Sequence, residues 1–244
     1  MARTVVVIPT YNEIESIAAV LDRVLRTAPD ANVLVVDDGS PDGTGRLADE
    51  RAAADPRIHV LHRTEKNGLG AAYGAGFAWA LERGYDAIVE MDADGSHQPE
   101  ELPRLTALLD AGCDLAIGTR WMPGGVVRNW PAHRRVISRV GTFYSRLLLR
   151  SRLRDLTSGY RGFRAEALRA VDLTAVGSQG YCFQIELAWR LERDGRRVGE
   201  FPITFVEREQ GVSKMSAGIV LEALAKVTGW GLSSLFRRAP ARAG

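Results

Sequence analysis

Hydrophobic and polar positions follow two alternating periods along the first half of the chain. Short runs that are apolar almost throughout, TVVVIP (4–9), NVLVVDDG (32–39), RIHVLHR (57–63), DAIVEMD (86–92) and DLAIGT (114–119), predict buried strands. Between them, EIESIAAVLDRVL (13–25) places Ile14, Ile17, Ala18, Leu21, Val24 and Leu25 on a helical period. GTGRLADERAAA (43–54), AAYGAGFAWALERG (71–84) and a segment near 99–111 predict further helices. Strands without polar alternation, separated by helices, describe an α/β fold whose parallel sheet is covered on both faces. Ligands of such sheets lie outside the carboxyl ends of the strands. That rule gathers Pro9–Glu13, Asp37–Gly39, Asp92–Asp94 and Gly118–Arg120 around one crevice.

The second half is less regular. Helices are expected near 132–150, 165–170, 181–194 and 216–236, with a strand near 197–206. RWMPGGVVRNWP (120–131) has the glycines and prolines of a loop and is a candidate mobile lid. In 134–150 an apolar stripe (Val136, Ile137, Val140, Phe143, Tyr144, Leu147, Leu148) runs beside Arg135, Arg139, Arg146 and Arg150. The stripe fits either a helix packed on the core or one lying in a membrane interface; the largely apolar segment 216–238 poses the same choice. No run approaches the ~18 consecutive apolar residues of a membrane span, and because Met1 leads directly into a predicted strand no signal peptide is expected.

Composition changes this picture in one respect. The 244 residues are 45% hydrophobic and 25% charged, as in ordinary globular proteins, and the net charge is only +2. That total hides an asymmetry: residues 1–130 carry 12 Lys/Arg against 20 Asp/Glu, and residues 131–244 carry 20 against 10. Nine arginines lie between 134 and 164, with Asp155 as the lone acid. Such a stretch is a solvated arginine-rich face or a site for an anionic partner. Nucleic acid is disfavoured as that partner because the rest of the chain gathers its candidate binding residues around the strand-end crevice. Cys113 and Cys182 form no CxxC pattern and are expected as reduced thiols in a cytosolic setting.

The chemistry centres on VEMDADGSHQPEE (89–101). In extended backbone Asp92 and Asp94 project to the same side. Two close carboxylates fit a hard divalent cation, Mg2+ or Mn2+, shared with substrate phosphates; they also fit a turn that caps the following helix. At neighbouring strand ends, Tyr11 can contact a base or ribose and Asp38 can accept hydrogen bonds from either. Asn12 and the Asp-Gly pairs equally serve as cap and turn formers. KNGLGAAYGAG (66–76) gives GxGxxxG after the third strand, not the dinucleotide GxGxxG after the first, and reads as a tight turn with close helix packing.

Taken in order, IPTYNE, VVDDGSPDGT, KNGLGAAYGAGF, MDADGSHQPE, IGTR, LTSGYRGFR, GYCFQIELAWRLERDG and FVEREQGVSKMS resemble the family 2 glycosyltransferases, specifically the polyprenyl- (dolichyl-) phosphate mannosyltransferases. The resemblance spans about residues 5–217. It implies a GT-A fold, a Rossmann-like, mostly parallel central sheet flanked by helices, with amphipathic helices in the C-terminal half. A catalytic domain over 1–215 would precede an amphipathic helix and basic tail over 216–244. The implied reaction is transfer of mannose from GDP-mannose to a polyprenyl monophosphate, with inversion to a β-linked product. Pro9, Tyr11, Glu13, Val36 and Asp38 would hold guanosine. Asp92, Ala93 and Asp94 would hold sugar nucleotide and a Mg2+ or Mn2+ ion; Asp92 and Asp94 would be its ligands, and Ser96, which stands where some relatives have glutamine, would be among the substrate-binding residues. Arg208 and Lys214 would bind the diphosphate, Arg120 would lie where sugar meets acceptor, and Arg134 and Ser138 would take the lipid phosphate. Asp94, Arg120 and Arg208 would thus be the catalytic groups. The enzyme would sit peripherally on the cytoplasmic face of the membrane, with a separate anchoring protein as a possible partner. The rival within the fold is a UDP-glucose-dependent transferase, to a polyprenyl phosphate or a polysaccharide. A non-catalytic nucleotide-binding adaptor is the rival outside it.

Overall fold

The computed structural model describes residues 2–173, 181–207 and 217–236. Strands β1 (Thr4–Thr10), β2 (Asn32–Asp37), β3 (Ile58–His62), β4 (Ala87–Glu90) and β5 (Leu115–Thr119) occupy the five predicted apolar runs. Helices α1 (Ile17–Thr27), α2 (Thr44–Ala54), α3 (Leu69–Glu82) and α4 (Leu102–Asp110) separate them. The sheet order is β3-β2-β1-β4-β7-β5-β8. Strand β7 (Arg161–Arg164), unpredicted from the sequence, runs antiparallel between β4 and β5, whereas β8 (Val198–Pro202) rejoins β5 in parallel. The expected strand over 197–206 divides at Ile203: β9 (Thr204–Val206) leaves the main sheet to pair with β6 (Val126–Arg128). The segment expected as a mobile lid is therefore partly a strand, not a free loop.

Two apolar clusters sandwich the sheet. Val5, Val7, Leu34 and Val36 face α3 and α7 (Tyr181–Arg193); Val6, Ile8, Val33 and Val35 face α1, α2 and α4. Both faces of β1 and β2 are filled, which is why these strands show no polar alternation. Gly68 turns into α3 with φ 89°. A Cβ on Gly76 would lie 2.5 Å from Val7 Cγ1, so α3 rests directly on β1. The GxGxxxG segment thus turns and packs, as expected.

Helices α5 (Ala132–Leu149) and α8 (Ala217–Phe236) lie together beside α7. Tyr144 Oη is 2.7 Å from Thr228 Oγ1, and Trp230 stacks on Trp189 with centroids 6.0 Å apart. The inward face of α5 is small and polar, with Thr142 and Ser145 buried beside Leu149. Its larger apolar residues Val136, Ile137, Val140, Phe143 and Leu147 are 45–67% exposed. Most of the stripe that fitted core packing points outward, and only Tyr144 and Leu148 pack against the core. Among the described residues no helix is long and apolar enough to cross a membrane.

The arginine-rich stretch does not form one solvated face. Arg161 is fully buried, Arg164 donates to the Leu109 carbonyl at the end of α4, and Arg134 pairs with Glu207.

Candidate active site

A cavity of about 500 Å3 opens where the strand-end rule places it. Pro9 and Glu13 reach it from β1, Asp92, Ala93 and Asp94 from the end of β4, and Arg120 from the end of β5. Arg134, Ile137 and Ser138 of α5 and Glu222, Ala223 and Leu224 of α8 close the opposite side.

The loop after β4 is rigidly built. Asp94 Oδ1 accepts the Ser96 N–H at 3.0 Å and the Ser96 hydroxyl at 2.6 Å. Ser96, expected among the substrate contacts, is 2% exposed and orients Asp94. Gln98 turns away, accepting from Arg23. His97 is fully buried, and its Nδ1 accepts the Asp92 N–H at 3.1 Å, which places the proton on Nε2. Burial holds its pKa below the usual value against the pull of Asp92 and Asp94, so the ring stays neutral. Tyr160 stacks on it (5.1 Å, 11°) and Phe205 meets it edge-on at 5.5 Å. One pleat behind Asp92, Glu90 is wholly buried, and neither carboxyl oxygen has a hydrogen-bond partner among the described residues. Burial pushes its pKa up to about 8, although Arg161 opposes the shift. At neutral pH the Asp92–Asp94 pair therefore faces no strong third negative charge from behind.

Two further expected residues are engaged by partners that the sequence did not reveal. Arg120 is 7% exposed; its Nε and Nη2 each lie 2.8 Å from an oxygen of the buried Asp155 carboxylate, and Nη2 also donates to Thr157 Oγ1. Trp121, Trp130 and Phe205 surround the guanidinium at 5.4–5.5 Å. Burial raises the cost of the Asp155 charge, yet Arg120 holds its carboxyl below the ordinary 3.8. Arg134 donates through Nη1 to both oxygens of Glu207 and lies 4.7 Å from the Trp130 ring centre; its buried Nε has no partner among the described residues.

The expected nucleoside residues lie at the ends of β1 and β2: Pro9 and Glu13 line the cavity, with Tyr11, Val36 and Asp38 on the same two strand ends. Lys66 sits 3.7 Å over the Tyr11 ring, and Arg63 pairs with Asp38 at 2.6 Å. Burial raises the Asp38 pKa while Arg63 pulls it down. Val36 is fully buried with its side chain toward α3, so it offers a ligand only main-chain atoms. Asp37 is occupied by Thr10 and Ser40, and Asn12 adopts a left-handed turn (φ 58°) instead of capping α1, whose N-cap is Ser16. Arg208 and Lys214 lie outside the described residues.

Sequence reasoning missed Lys66, Asp155, Glu207 and Gln184, all at or beside the cavity. Their only signals were a lysine before a glycine turn, the lone acid of the arginine stretch, an acid beside an expected phosphate ligand, and a glutamine within an apolar helix.

The family model "Glycosyl transferase family 2" matches residues 5–172. The polyprenol monophosphomannose synthase of Mycolicibacterium smegmatis is 59% identical over 238 residues, 97% of this chain and 90% of that protein. The undecaprenyl-phosphate mannosyltransferase of Micrococcus luteus is 57% identical over 242 residues, 99% of both chains. Among solved structures, glucosyl-3-phosphoglycerate synthase of Mycobacterium tuberculosis with Mn2+, UDP-glucose and phosphoglyceric acid aligns with a TM-score of 0.68 at 20% identity, over 94% of this chain and 80% of that one. A mannosyltransferase of Pyrobaculum calidifontis with GDP-Man and Mn2+ aligns at 0.60 and 20% identity, over 98% of this chain and 66% of that one. At this identity the two structures establish a shared fold alone.

Proposed function

The chain belongs to glycosyltransferase family 2, with the GT-A fold, and on that premise we propose that it transfers mannose from GDP-mannose to a polyprenyl monophosphate. The observation that carries this reading is the joining of two surfaces in one cavity. The Asp92–Asp94 carboxylates form one wall, and the opposite wall runs through Ile137 and Leu224 onto the exposed apolar faces of α5 and α8. A hydrophilic donor and an acceptor with an apolar tail would meet there. The names of the two curated relatives support the mannose and lipid-phosphate assignments.

Asp92 and Asp94 fit a hard divalent cation. They offer two oxygen-donating side chains from one short loop, Ser96 and His97 fix that loop, and Glu90 adds little charge behind them. Among the described residues no third His, Cys, Asp or Glu completes a protein-only cage, which suits Mg2+ or Mn2+ bound together with substrate phosphates. Such an ion supplies charge neutralisation at the leaving diphosphate.

The protein's own groups do the rest. Pro9, Tyr11, Glu13, Val36 and Asp38 hold the guanosine at the first strand ends, while Ala93 brings main chain to the sugar nucleotide. Arg208 and Lys214 bind the diphosphate. A phosphomonoester has a second pKa near ~6 and is already largely dianionic at neutral pH. It therefore needs positioning more than a general base. Arg134 and Ser138 supply that positioning at the start of α5. Arg120, whose charge Asp155 balances, acts as a fixed hydrogen-bonding wall at the junction of sugar and acceptor. In-line attack from the α5 side gives the β-linked product.

The outward apolar stripe of α5, flanked by Arg135, Arg139 and Arg146, would lie in the membrane interface and deliver the lipid phosphate to the cavity. This fits a peripheral enzyme on the cytoplasmic face, held there alone or with an anchoring partner. Purified protein offered GDP-mannose or UDP-glucose with undecaprenyl phosphate tests the reading: mannosyl transfer dependent on Mg2+ or Mn2+ is expected, and transfer from UDP-glucose alone would overturn it.

A further inference from the structure

Resting on the GDP-mannose reading, we infer that Gln184 recognises the sugar being transferred, its carboxamide hydrogen-bonding a hydroxyl of the hexose. Gln184 lies in the first turns of α7, is 1% exposed, and lines the cavity. Its Oε1 is buried with no hydrogen-bond partner among the described residues. Buried amides are nearly always satisfied, so an unpaired one facing a cavity awaits a ligand.

The backbone that carries the carboxamide is held in place. The buried Arg161 donates to the Gln184 main-chain carbonyl and, at 2.7 Å each, to the carbonyls of Ser158 and Leu156. This guanidinium clamps the start of α7 to the loop before β7. Gly159 on that loop leaves a gap: a Cβ there would lie 3.6 Å from Gln184 Nε2, 3.7 Å from Asp92 Oδ1 and 3.4 Å from His97 Cε1. The carboxamide and the Asp92 carboxylate thus flank the same small space.

The chemistry of that space selects a neutral ligand group with both donor and acceptor character. A carboxamide has an acceptor and two donors, so either end can meet a hydroxyl. The nearby ligand-facing charge is the carboxylate of Asp92, which would repel a second anion. Phosphates are better placed against Arg134 and the cation. A hexose joined to a diphosphate that shares a cation with Asp92 and Asp94 would be carried to the side of the cavity where this gap lies. Gln184 then reads the sugar, whereas the strand ends read the base.

Titration calorimetry with GDP and GDP-mannose, in Mn2+ and without lipid acceptor, separates these contributions. Gln184→Met keeps the length of the side chain and removes its polarity. The expected result is unchanged GDP affinity, GDP-mannose affinity weakened about tenfold, and a comparable fall in kcat/KM for the donor. Donors lacking single mannose hydroxyls identify the partner: one deoxy position costs the wild type about tenfold and the variant nothing further. GDP and GDP-mannose weakening together, or deoxy donors losing equally in both proteins, would overturn the assignment. Gln184→Asn, with the chemistry retained on a shorter arm, guards against a variant that misfolds. If the wild type turns over another sugar nucleotide instead, the mannose reading falls by itself, and the same comparison is made with that donor and its nucleoside diphosphate.

Discussion

Arg120 and Asp155, 35 positions apart, form a buried bidentate ion pair, with Nε–Oδ2 and Nη2–Oδ1 both at 2.8 Å. Asp155 also accepts the Arg120 backbone N–H at 3.1 Å, so it holds both the main chain and the side chain at the end of β5. Removing one member of such a pair leaves an uncompensated buried charge, at a cost of about 3–5 kcal/mol. Asp155→Ala is expected to lose that much in urea unfolding.

The same pair sets an acid dependence. The folded pKa of Asp155 lies below its ordinary 3.8, so its contribution is complete above that value and disappears as pH falls through the lowered one. The stability gap between wild type and Asp155→Asn is expected to be constant from pH 7 to 5 and to narrow below about pH 4, as urea midpoints at each pH would show.

The Ser96 hydroxyl, at the cavity lining, donates to Asp94 Oδ1 at 2.6 Å and orients that carboxylate. Removing such a supporting bond typically weakens a metal site about 10–100-fold. Ser96→Ala should weaken Mn2+ binding by that factor in electron paramagnetic resonance titrations. Asp94→Asn should weaken it further, and EDTA should stop turnover until Mg2+ or Mn2+ is restored.

The exposed α5 stripe lets the proposed membrane attachment be tested apart from folding. Val140 and Phe143 are 59% and 67% exposed, so the double change to aspartate should alter stability by no more than about 1 kcal/mol. Co-sedimentation with anionic vesicles should fall sharply, while transfer to a short, water-soluble prenyl phosphate is kept.

Gly76 marks the contact of α3 with β1. A valine there would meet Val7 Cγ1 at 2.5 Å and Val36 Cγ2 at 3.3 Å from its Cβ alone. Overpacking of this kind costs about 1–3 kcal/mol, and chemical denaturation of Gly76→Val should show it.

Much of the scaffold was legible because local rules govern it. Fully apolar runs can only be buried strands when helices intervene, so β1 to β5 and α1 to α4 followed from periodicity. The strand-end rule then placed Asp92, Asp94 and Arg120 around one cavity. What stayed hidden depends on partners distant in the chain. Nothing local announces that β7 inserts antiparallel beside β4, that Asp155 locks Arg120, that Glu207 meets Arg134, or that Gln184 faces the gap at Gly159. The direction of the α5 stripe is the clearest case. Its spacing is identical whether it meets core or solvent, since periodicity reports that a helix has two faces but not what stands opposite each. Local sequence thus determined the elements and the chemistry carried at their ends. The tertiary structure alone decided which charges are already paired, which face is left bare, and which polar group remains without a partner, because burial and pairing are properties of the whole packed chain.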